Sequence, residues 1–170
     1  MGKFISYKRL KKIIKEEKNT GKRIVLTGGC FDILHRGHLY LLKKAKEYGD
    51  ILIVNIVNDK RVKIYKGEKR PINTAFRRVT LVSKLEMVNY ATVHPSIKKG
   101  PTTELALLIK PDIMVQFEGK WKSQDSKRLE KLLGYGVELK SVKNSPFKIS
   151  TTKIIDDIIK DYGNPCMIHK

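Results

Sequence analysis

The sequence predicts an α/β protein: a Rossmann-like, doubly wound parallel sheet in a single domain. Three observations support this fold class. Short runs of β-branched residues alternate with amphipathic helical segments, which is the pattern of parallel strands joined by right-handed helical crossovers. A glycine-rich turn connects one strand to a helix near residue 37. The length of 170 residues, 41% of them hydrophobic, is typical of one globular domain with one core.

The N-terminal segment is predicted to be helical. Leu10, Ile13 and Ile14 form a narrow apolar stripe, which supports a helix over residues 6–18. The lysines between them are interpreted as a solvated face. A strand is predicted next, at residues 23–27, where the main domain begins.

The rest of the chain continues the alternation. Further strands are predicted at residues 51–57, 91–93, 112–115 and 137–142. Helices are predicted at residues 39–45, 74–89, 103–110, 124–133 and 150–161, with a basic loop at 58–71. We therefore divide the chain into an N-terminal helical extension (1–21), a main domain (22–162) and a C-terminal tail (163–170).

The turn after the first of these strands has the features of an anion site. Gly28 and Gly29 allow the backbone to approach a ligand closely, and Gly37 does the same at the start of the following helix. The free N–H groups of a helix N-terminus favour a phosphate. His35 and His38 lie one turn apart and can face the same anion. Because G-x-G-x-x-G is absent, the turn indicates a nucleoside triphosphate rather than a dinucleotide.

Residues 29–38 read G-C-F-D-I-L-H-R-G-H, which resembles the G-x-F-D-x-x-H-x-G-H signature of the cytidylyltransferase-like nucleotidyltransferases. These enzymes are relatives of the class I aminoacyl-tRNA synthetases. The resemblance implies that His35 and His38 are catalytic. It also implies that five residues of this segment bind the nucleotide: Gly29, Cys30, Phe31, Asp32 and Gly37. Cys30 itself is interpreted as a small turn residue and not as a nucleophile.

A second stretch, from Asp59 to Arg78, resembles the D-x-x-x-x-x-x-K-G-x-x-R-P-(six residues)-R pattern of sugar-phosphate adenylyltransferases of the ADP-heptose type. The resemblance implies that Lys66 stabilises the transferring phosphates. Asp59 and Arg78 are expected in the nucleotide site, and Arg70 near the acceptor.

A third stretch, I-S-T-T-K-I at residues 149–154, matches the family's I-S-T-T-x-I at the last helix. By this resemblance Ser150, Thr151 and Thr152 meet the nucleotide phosphates. The segment 115–121 departs from the ADP-heptose type and looks instead like the W-E-G-K-F of glycerol-3-phosphate cytidylyltransferases. Lys120 and Trp121 are therefore expected to contact the acceptor.

The expected reaction is transfer of a nucleotidyl group to a phosphorylated small molecule, with release of pyrophosphate. ATP and a sugar phosphate are the first choice, because residues 85–90 (L-E-M-V-N-Y) resemble the L-E-x-V-D of the ADP-heptose type. CTP with glycerol phosphate or a related alcohol phosphate, and ATP with FMN, are the alternatives. Mg²⁺ is expected to arrive with the triphosphate, and no protein metal site is predicted.

The net charge of +19 has several interpretations. It is consistent with binding to nucleic acid, to an anionic membrane surface or to polyphosphate substrates, and also with a lysine-rich composition that has no binding role. An RNA-binding protein is the rival class, although no aromatic RNA-stacking motif supports it and nucleic acid is disfavoured. No apolar run approaches the roughly 20 residues of a membrane span. Two cysteines favour a reducing cytoplasm. A homodimer is among the expected partners, since dimers are common in the family.

Overall fold

The computed structural model describes residues 2–121 and 125–163. The strands are β1 (Lys3–Phe4), β2 (Ile24–Gly29), β3 (Ile51–Val57), β4 (Tyr90–His94), β5 (Ile113–Phe117) and β6 (Glu138–Val142). The helices are α1 (Tyr7–Asn19), α2 (Arg36–Lys46), α3 (Asp59–Lys66), α4 (Ala75–Ser83), α5 (Pro101–Ile109), α6 (Ser126–Gly134) and α7 (Thr151–Tyr162). The strands form one sheet in the order β1-β4-β3-β2-β5-β6, and every neighbouring pair is parallel. The predicted fold class is confirmed.

Helices cover both faces of the sheet, and the side-chain alternation of the strands explains how. In β2, Val25 faces a cluster with α2 and α4, whereas Ile24 and Leu26 face a cluster with α1, α5 and α6. All seven residues of β3 are buried, as expected for a central parallel strand covered on both sides. The protein therefore has three layers, with one apolar core above the sheet and another below it.

The N-terminal segment is integrated into this architecture. Leu10 and Ile14 of α1 are buried in the second cluster. Lys3 and Phe4 form β1, which the sequence analysis did not predict, and this strand pairs with β4 at the edge of the sheet. A strand of two residues is too short to show the alternation by which strands are predicted. Its place in the sheet comes from its pairing with β4.

Residues 58–71, predicted as a basic loop, contain the helix α3, and that prediction is wrong. The side chain of Asn58 caps the helix by accepting a hydrogen bond from the Arg61 N–H at 2.9 Å. Val62 is fully buried and anchors the helix to the core. Lys63 and Lys66 lie in the last turn, where cations complement the helix dipole. Because Val62 is the one buried residue of α3, the sequence of this helix shows no apolar stripe from which it could be predicted.

The helix predicted at residues 74–89 is also too long, because α4 ends at Ser83. The chain then turns towards the sheet, and Asn89 accepts a hydrogen bond from the Leu52 N–H at 2.9 Å. This contact lies at the amino ends of β3 and β4. It connects the segment before β4 to the start of β3.

The other predicted elements are confirmed, with ends that shift by at most three residues. Residue 124, the predicted start of α6, lies outside the described residues, as does the predicted tail after Gly163. No helix in the described ranges is both long and apolar enough to cross a membrane.

The order of the strands places a crevice at the carboxyl ends of β2 and its neighbours. The chain proceeds from β2 to β3 and β4 on one side and then returns to β5 on the other, so the strand order reverses next to β2. Ligands in such sheets bind at this reversal. The N-terminus of α5 approaches here so closely that a Cβ at Gly28 would clash with Thr102 Oγ1 and lie 2.9 Å from the Asn55 carbonyl oxygen.

This contact predicts that Gly28→Ala destabilises the fold. The added methyl group must displace α5 or strand β3, at a cost of about 1–3 kcal/mol in the free energy of unfolding. Gly134→Ala is the matched control, since nothing lies within 4 Å of a Cβ at that position. Urea denaturation measures both variants. A Gly28→Ala protein as stable as the control would contradict the close approach.

Candidate active site

Two adjoining cavities open at the carboxyl edge of the sheet. The larger, about 470 Å³, lies among the turn after β2, the helix α3, the loop before α5 and the end of β5. The smaller, about 330 Å³, lies between the N-termini of α2 and α7. Phe117 borders both cavities. The glycine–histidine turn therefore stands between two spaces, each large enough for part of a bound nucleotide or acceptor.

The two motif histidines form a stacked pair at this boundary. Their ring centroids are 3.7 Å apart and their planes differ by 19°. His38 lines the larger cavity and His35 the smaller one. The Nδ1 atom of each ring is buried and has no hydrogen-bond partner among the described residues. Buried polar atoms are usually paired, so these two nitrogens are candidate contacts for a ligand.

The surroundings of the pair keep both rings neutral. Burial lowers the pKa of His38 to about 3, with further lowering by His35 and Lys66 and a smaller opposing effect of Asp32. Burial and the charge of Lys66 also lower the pKa of His35. Since desolvation disfavours the charged ring, a bound polyanion would have the opposite effect and raise both pKa values.

Phe31 and the motif glycines shape the turn that carries the histidines. Phe31 adopts a left-handed backbone conformation with φ of 52°, and its ring is 1% exposed. The ring packs on His38 with centroids 4.9 Å apart. A Cβ at Gly29 would lie 3.1 Å from the Phe31 ring, and one at Gly37 would lie 3.1 Å from the His35 ring. Both glycines therefore let an aromatic ring pack directly against the backbone.

Lys66 lies at the end of α3 and lines the larger cavity. Its charge lowers the pKa of both histidines and of Cys30. Lys66 therefore shares a cavity with His38 and Cys30, whereas His35 lines the adjoining cavity. Burial raises the pKa of the Cys30 thiol, which keeps it protonated. This protonation agrees with a turn residue rather than a nucleophile.

Arg78 lies beneath the site rather than in it. The residue is 1% exposed. Its guanidinium donates to the carbonyl oxygens of Cys30, of Val57 at 2.7 Å and of Asn73 at 2.9 Å. It also pairs with Asp59 at 2.7 Å. Arg78 and Asp59, both expected in the nucleotide site, therefore connect the turn after β2 to the end of β3 and to α3.

Asp32 and Arg70 form a second buried connection. The Asp32 carboxylate accepts hydrogen bonds from Arg70 Nε at 2.8 Å and from the backbone N–H groups of Ile72 and Asn73 at 3.0 and 2.9 Å. Burial acts to raise the pKa of Asp32, but these three hydrogen bonds hold it below its usual range. The Arg70 Nη2 atom is buried without a partner among the described residues. The pair fixes residues 70–73 against the histidine turn.

The N-terminus of α7 lies beside His35. Ser150 lines the smaller cavity, and its hydroxyl caps the helix by accepting from the Lys153 N–H at 3.1 Å. Thr151 is buried and Thr152 is exposed, and neither lines the two cavities. Of the three hydroxyl residues, the structure brings Ser150 to the site. Arg36 holds the preceding loop, with its guanidinium 3.9 Å from the centre of the Phe147 ring.

The structure separates the two residues expected to contact the acceptor. Lys120 lines the larger cavity. The indole of Trp121 donates instead to Ser141 Oγ at 3.0 Å and packs against the core cluster under α1, α5 and α6. A stretch that resembles an acceptor-binding motif therefore contributes one residue to the cavity and one to the fold.

Several residues of the larger cavity were not identified from the sequence. Arg61 and Tyr65 come from α3, which was predicted as a loop. Lys99 comes from the loop before α5 and Thr102 from its first turn, and Asn55 donates to Thr102 Oγ1 at 3.1 Å. Their position directly after β3 and β4 was a usable signal, because the carboxyl ends of parallel strands lie at one edge.

The stretch 85–90, which favours the ADP-heptose type, lies at the opposite edge of the sheet. Asn89 donates its N–H to the Leu52 carbonyl oxygen at 3.0 Å, at the amino end of β3. This stretch is therefore a marker of family likeness and does not contact a nucleotide bound at the carboxyl edge.

Comparison with known proteins agrees with the motifs. The family model described as Cytidylyltransferase-like matches residues 26–157. The Bifunctional protein HldE of Nitratiruptor sp. is 44% identical over 117 residues, which are 67% of this chain and 25% of that protein. HldE of Geobacter metallireducens is 36% identical over 151 residues, which are 89% of this chain and 30% of that protein. The chain thus spans about a quarter to a third of the length of these curated relatives.

A solved structure supports the same relationship. The lipopolysaccharide core biosynthesis protein from Thermoplasma volcanium is 31% identical, with a TM-score of 0.58 over 75% of this chain and 100% of that chain. The resemblance drawn from the motifs, and with it the expected enzyme class, is confirmed. The chain belongs to the cytidylyltransferase-like family of nucleotidyltransferases.

Proposed function

We propose that this protein transfers the adenylyl group of ATP to a sugar phosphate and releases pyrophosphate. The observation that supports this most directly is the stacked histidine pair, with two unpartnered Nδ1 atoms between two cavities and Lys66 beside it. The choice of ATP and a sugar phosphate is supported by the likeness to HldE and to a lipopolysaccharide core biosynthesis protein.

The reaction joins an acceptor phosphate oxygen to the α-phosphorus of ATP. The new oxygen–phosphorus bond forms as the bond between the α-phosphorus and the bridging oxygen to the β-phosphorus breaks, and pyrophosphate takes that electron pair. His35, His38 and Lys66 stabilise the negative charge that develops on the α-phosphate oxygens. Charge stabilisation and positioning supply the catalysis, so no covalent nucleophile on the protein is required.

Mg²⁺ enters this proposal as part of the nucleotide substrate. In the described ranges no group of three or more His, Cys, Asp or Glu side chains is arranged to hold a metal ion. The nearby carboxylates of Asp32 and Asp59 are engaged by Arg70 and Arg78. The triphosphate oxygens are therefore the expected ligands of the ion.

The proposal is tested by measuring pyrophosphate release with ATP and with CTP against sugar, glycerol and flavin phosphates. ATP with a sugar phosphate is expected to give the highest kcat/KM. Higher activity with CTP and glycerol phosphate would select the alternative suggested by residues 115–121. Activity with FMN would select a flavin adenylyltransferase. No release with any pair, together with tight and steeply salt-dependent RNA binding, would favour the RNA-binding class.

Replacing His38 should affect turnover more than folding. His38→Asn removes a group that acts on charge developed in the transition state, so kcat should fall by roughly 10²-fold or more. The melting temperature and the affinity for ATP serve as controls for intact structure. Wild-type turnover in a folded His38→Asn protein would remove the pair from the proposed mechanism.

Nucleotide binding should be coupled to proton uptake. The free protein keeps His38 neutral because burial lowers its pKa to about 3, and a bound triphosphate raises that pKa. The complex then holds more protons than its separate components, so the contribution of His38 to the affinity for the nucleotide grows as the pH falls through the raised pKa.

Calorimetry in two buffers of different ionisation enthalpy measures this uptake at pH 6. Wild type should take up a larger fraction of a proton than His38→Asn, and the difference cancels the titration of the nucleotide itself. Equal uptake by both proteins would show that the ring stays neutral in the complex.

A further inference from the structure

A buried amide side chain connects β3 to β4 and to α5. Asn55 lies within β3, and its side chain is fully buried. Its Oδ1 atom accepts a hydrogen bond from the His94 N–H at 3.2 Å, and its Nδ2 atom donates to Thr102 Oγ1 at 3.1 Å. A buried amide costs free energy unless both of its ends are paired, and here both are.

The identity of these partners sets the direction of both hydrogen bonds. A backbone N–H can only donate, so the end of the amide next to His94 is its oxygen. The amino end therefore donates to Thr102, and the Thr102 oxygen accepts. The hydrogen of the Thr102 hydroxyl is left for another acceptor.

That hydroxyl finds no acceptor within the described part of the chain. Thr102 takes part there in no side-chain hydrogen bond besides the one from Asn55. A threonine inside a helix often donates to the carbonyl oxygen four residues earlier. Thr102 is the second residue of α5, so no preceding helical turn offers that carbonyl.

Thr102 lies at the wall of the larger cavity that β2 and α5 form. It lines the cavity together with Gly28 and Gly29, and a Cβ on Gly28 would clash with its Oγ1 atom. Strand β2 pairs with β5 only at Val25 and Leu26, so the two strands are unpaired where the cavity opens. The unused hydroxyl donor is therefore held at the end of β2.

The threonine differs from the charged side chains of the same cavity. Lys66, Lys99 and Lys120 are exposed, and an exposed lysine retains many rotamers. Thr102 is 7% exposed, has a stiff β-branched side chain and is held by a buried amide. A polar group held in this way is suited to select a ligand by the position of one hydrogen bond.

We propose that Thr102 determines acceptor specificity, by donating its O–H to a non-reacting hydroxyl oxygen of the sugar phosphate. Asn55 is its positioning residue. This inference rests on the proposed nucleotidyl transfer, with the triphosphate over the N-termini of α2 and α7 at the smaller cavity and the acceptor in the larger one. A C–H group or an ammonium group cannot accept this hydrogen bond, so the site selects against deoxy and amino sugars at that position.

The test uses the sugar phosphate with the highest kcat/KM in the pyrophosphate-release screen, with ATP and Mg²⁺. It is compared with analogues that each lack one hydroxyl group. With the analogue that lacks the oxygen facing Thr102, wild-type kcat/KM should fall about ten-fold or more, because the buried hydroxyl is left without a partner. The analogue with an amino group at that position should be equally poor.

Thr102→Val keeps the shape of the side chain and removes the donor. It should lower kcat/KM about ten-fold for the parent sugar phosphate and for the other analogues, with little effect on KM for ATP. The one analogue that lacks the oxygen facing Thr102 should be used as well by the variant as by wild type. Thr102→Ser keeps the hydroxyl and should retain the wild-type preference.

Thr92→Val is the matched control. Thr92 is a buried threonine whose Oγ1 atom has no partner among the described residues, and it pairs in register with Asn55. It does not line the larger cavity. Loss of its hydroxyl should leave the preference among acceptors unchanged. Melting temperatures report whether each variant is folded, and the comparison of analogues in wild type requires no variant.

Three results overturn the inference while the proposed transfer stands. They are an equal effect of Thr102→Val on every acceptor, a rise in KM for ATP in its place, and wild-type use of every analogue as readily as the parent. Absence of pyrophosphate release with every nucleotide and acceptor overturns the proposed function, and the role of Thr102 falls with it.

Discussion

The candidate site depends on one buried guanidinium. Arg78 donates to backbone carbonyl oxygens in the turn after β2, at the end of β3 and before α4, and pairs with Asp59 at the start of α3. A buried charge is stable only when it is paired and fully hydrogen-bonded. The positions of these four segments therefore depend on one another, because the guanidinium is fully paired only when all of them meet around Arg78. The histidine turn and α3, with its Lys66, are positioned by this requirement.

The histidine pair shows the opposite situation, in which buried polar groups lack hydrogen-bond partners. There the protein buries two rings and leaves their Nδ1 atoms unpaired. Burial of the two rings disfavours their charged form and so lowers their pKa values. The packed fold below the pair compensates for the free-energy cost of this burial. A bound polyanion would supply hydrogen-bond partners for the Nδ1 atoms and would favour protonation of the rings. Binding energy is thus concentrated where the proposed transfer develops negative charge.

The two cavities divide the proposed substrates. Their boundary is the histidine pair, with His38 on one side and His35 on the other. The glycine at position 28 makes this possible, because only a residue without a side chain lets α5 approach β2 closely enough for Thr102 and Lys99 to enter the larger cavity. The larger cavity is therefore shaped by contacts between elements that are distant in sequence.

The sequence by itself determined the fold class, the histidine turn and the family. Each depends on local order: strand–turn–helix alternation, a ten-residue motif, and glycines that let the backbone approach a ligand closely. Only the tertiary structure decided which motif residues reach the cavities. Arg78, Asp32 and Asp59 are matched to nucleotide-site positions by the motifs, yet their charges are used by the fold. Trp121 is engaged by Ser141, and no motif singles out Lys99 or Arg61. The physical reason is that a side chain's role follows from which partners satisfy its charge or hydrogen bonds, and those partners come from strands and helices far apart along the chain.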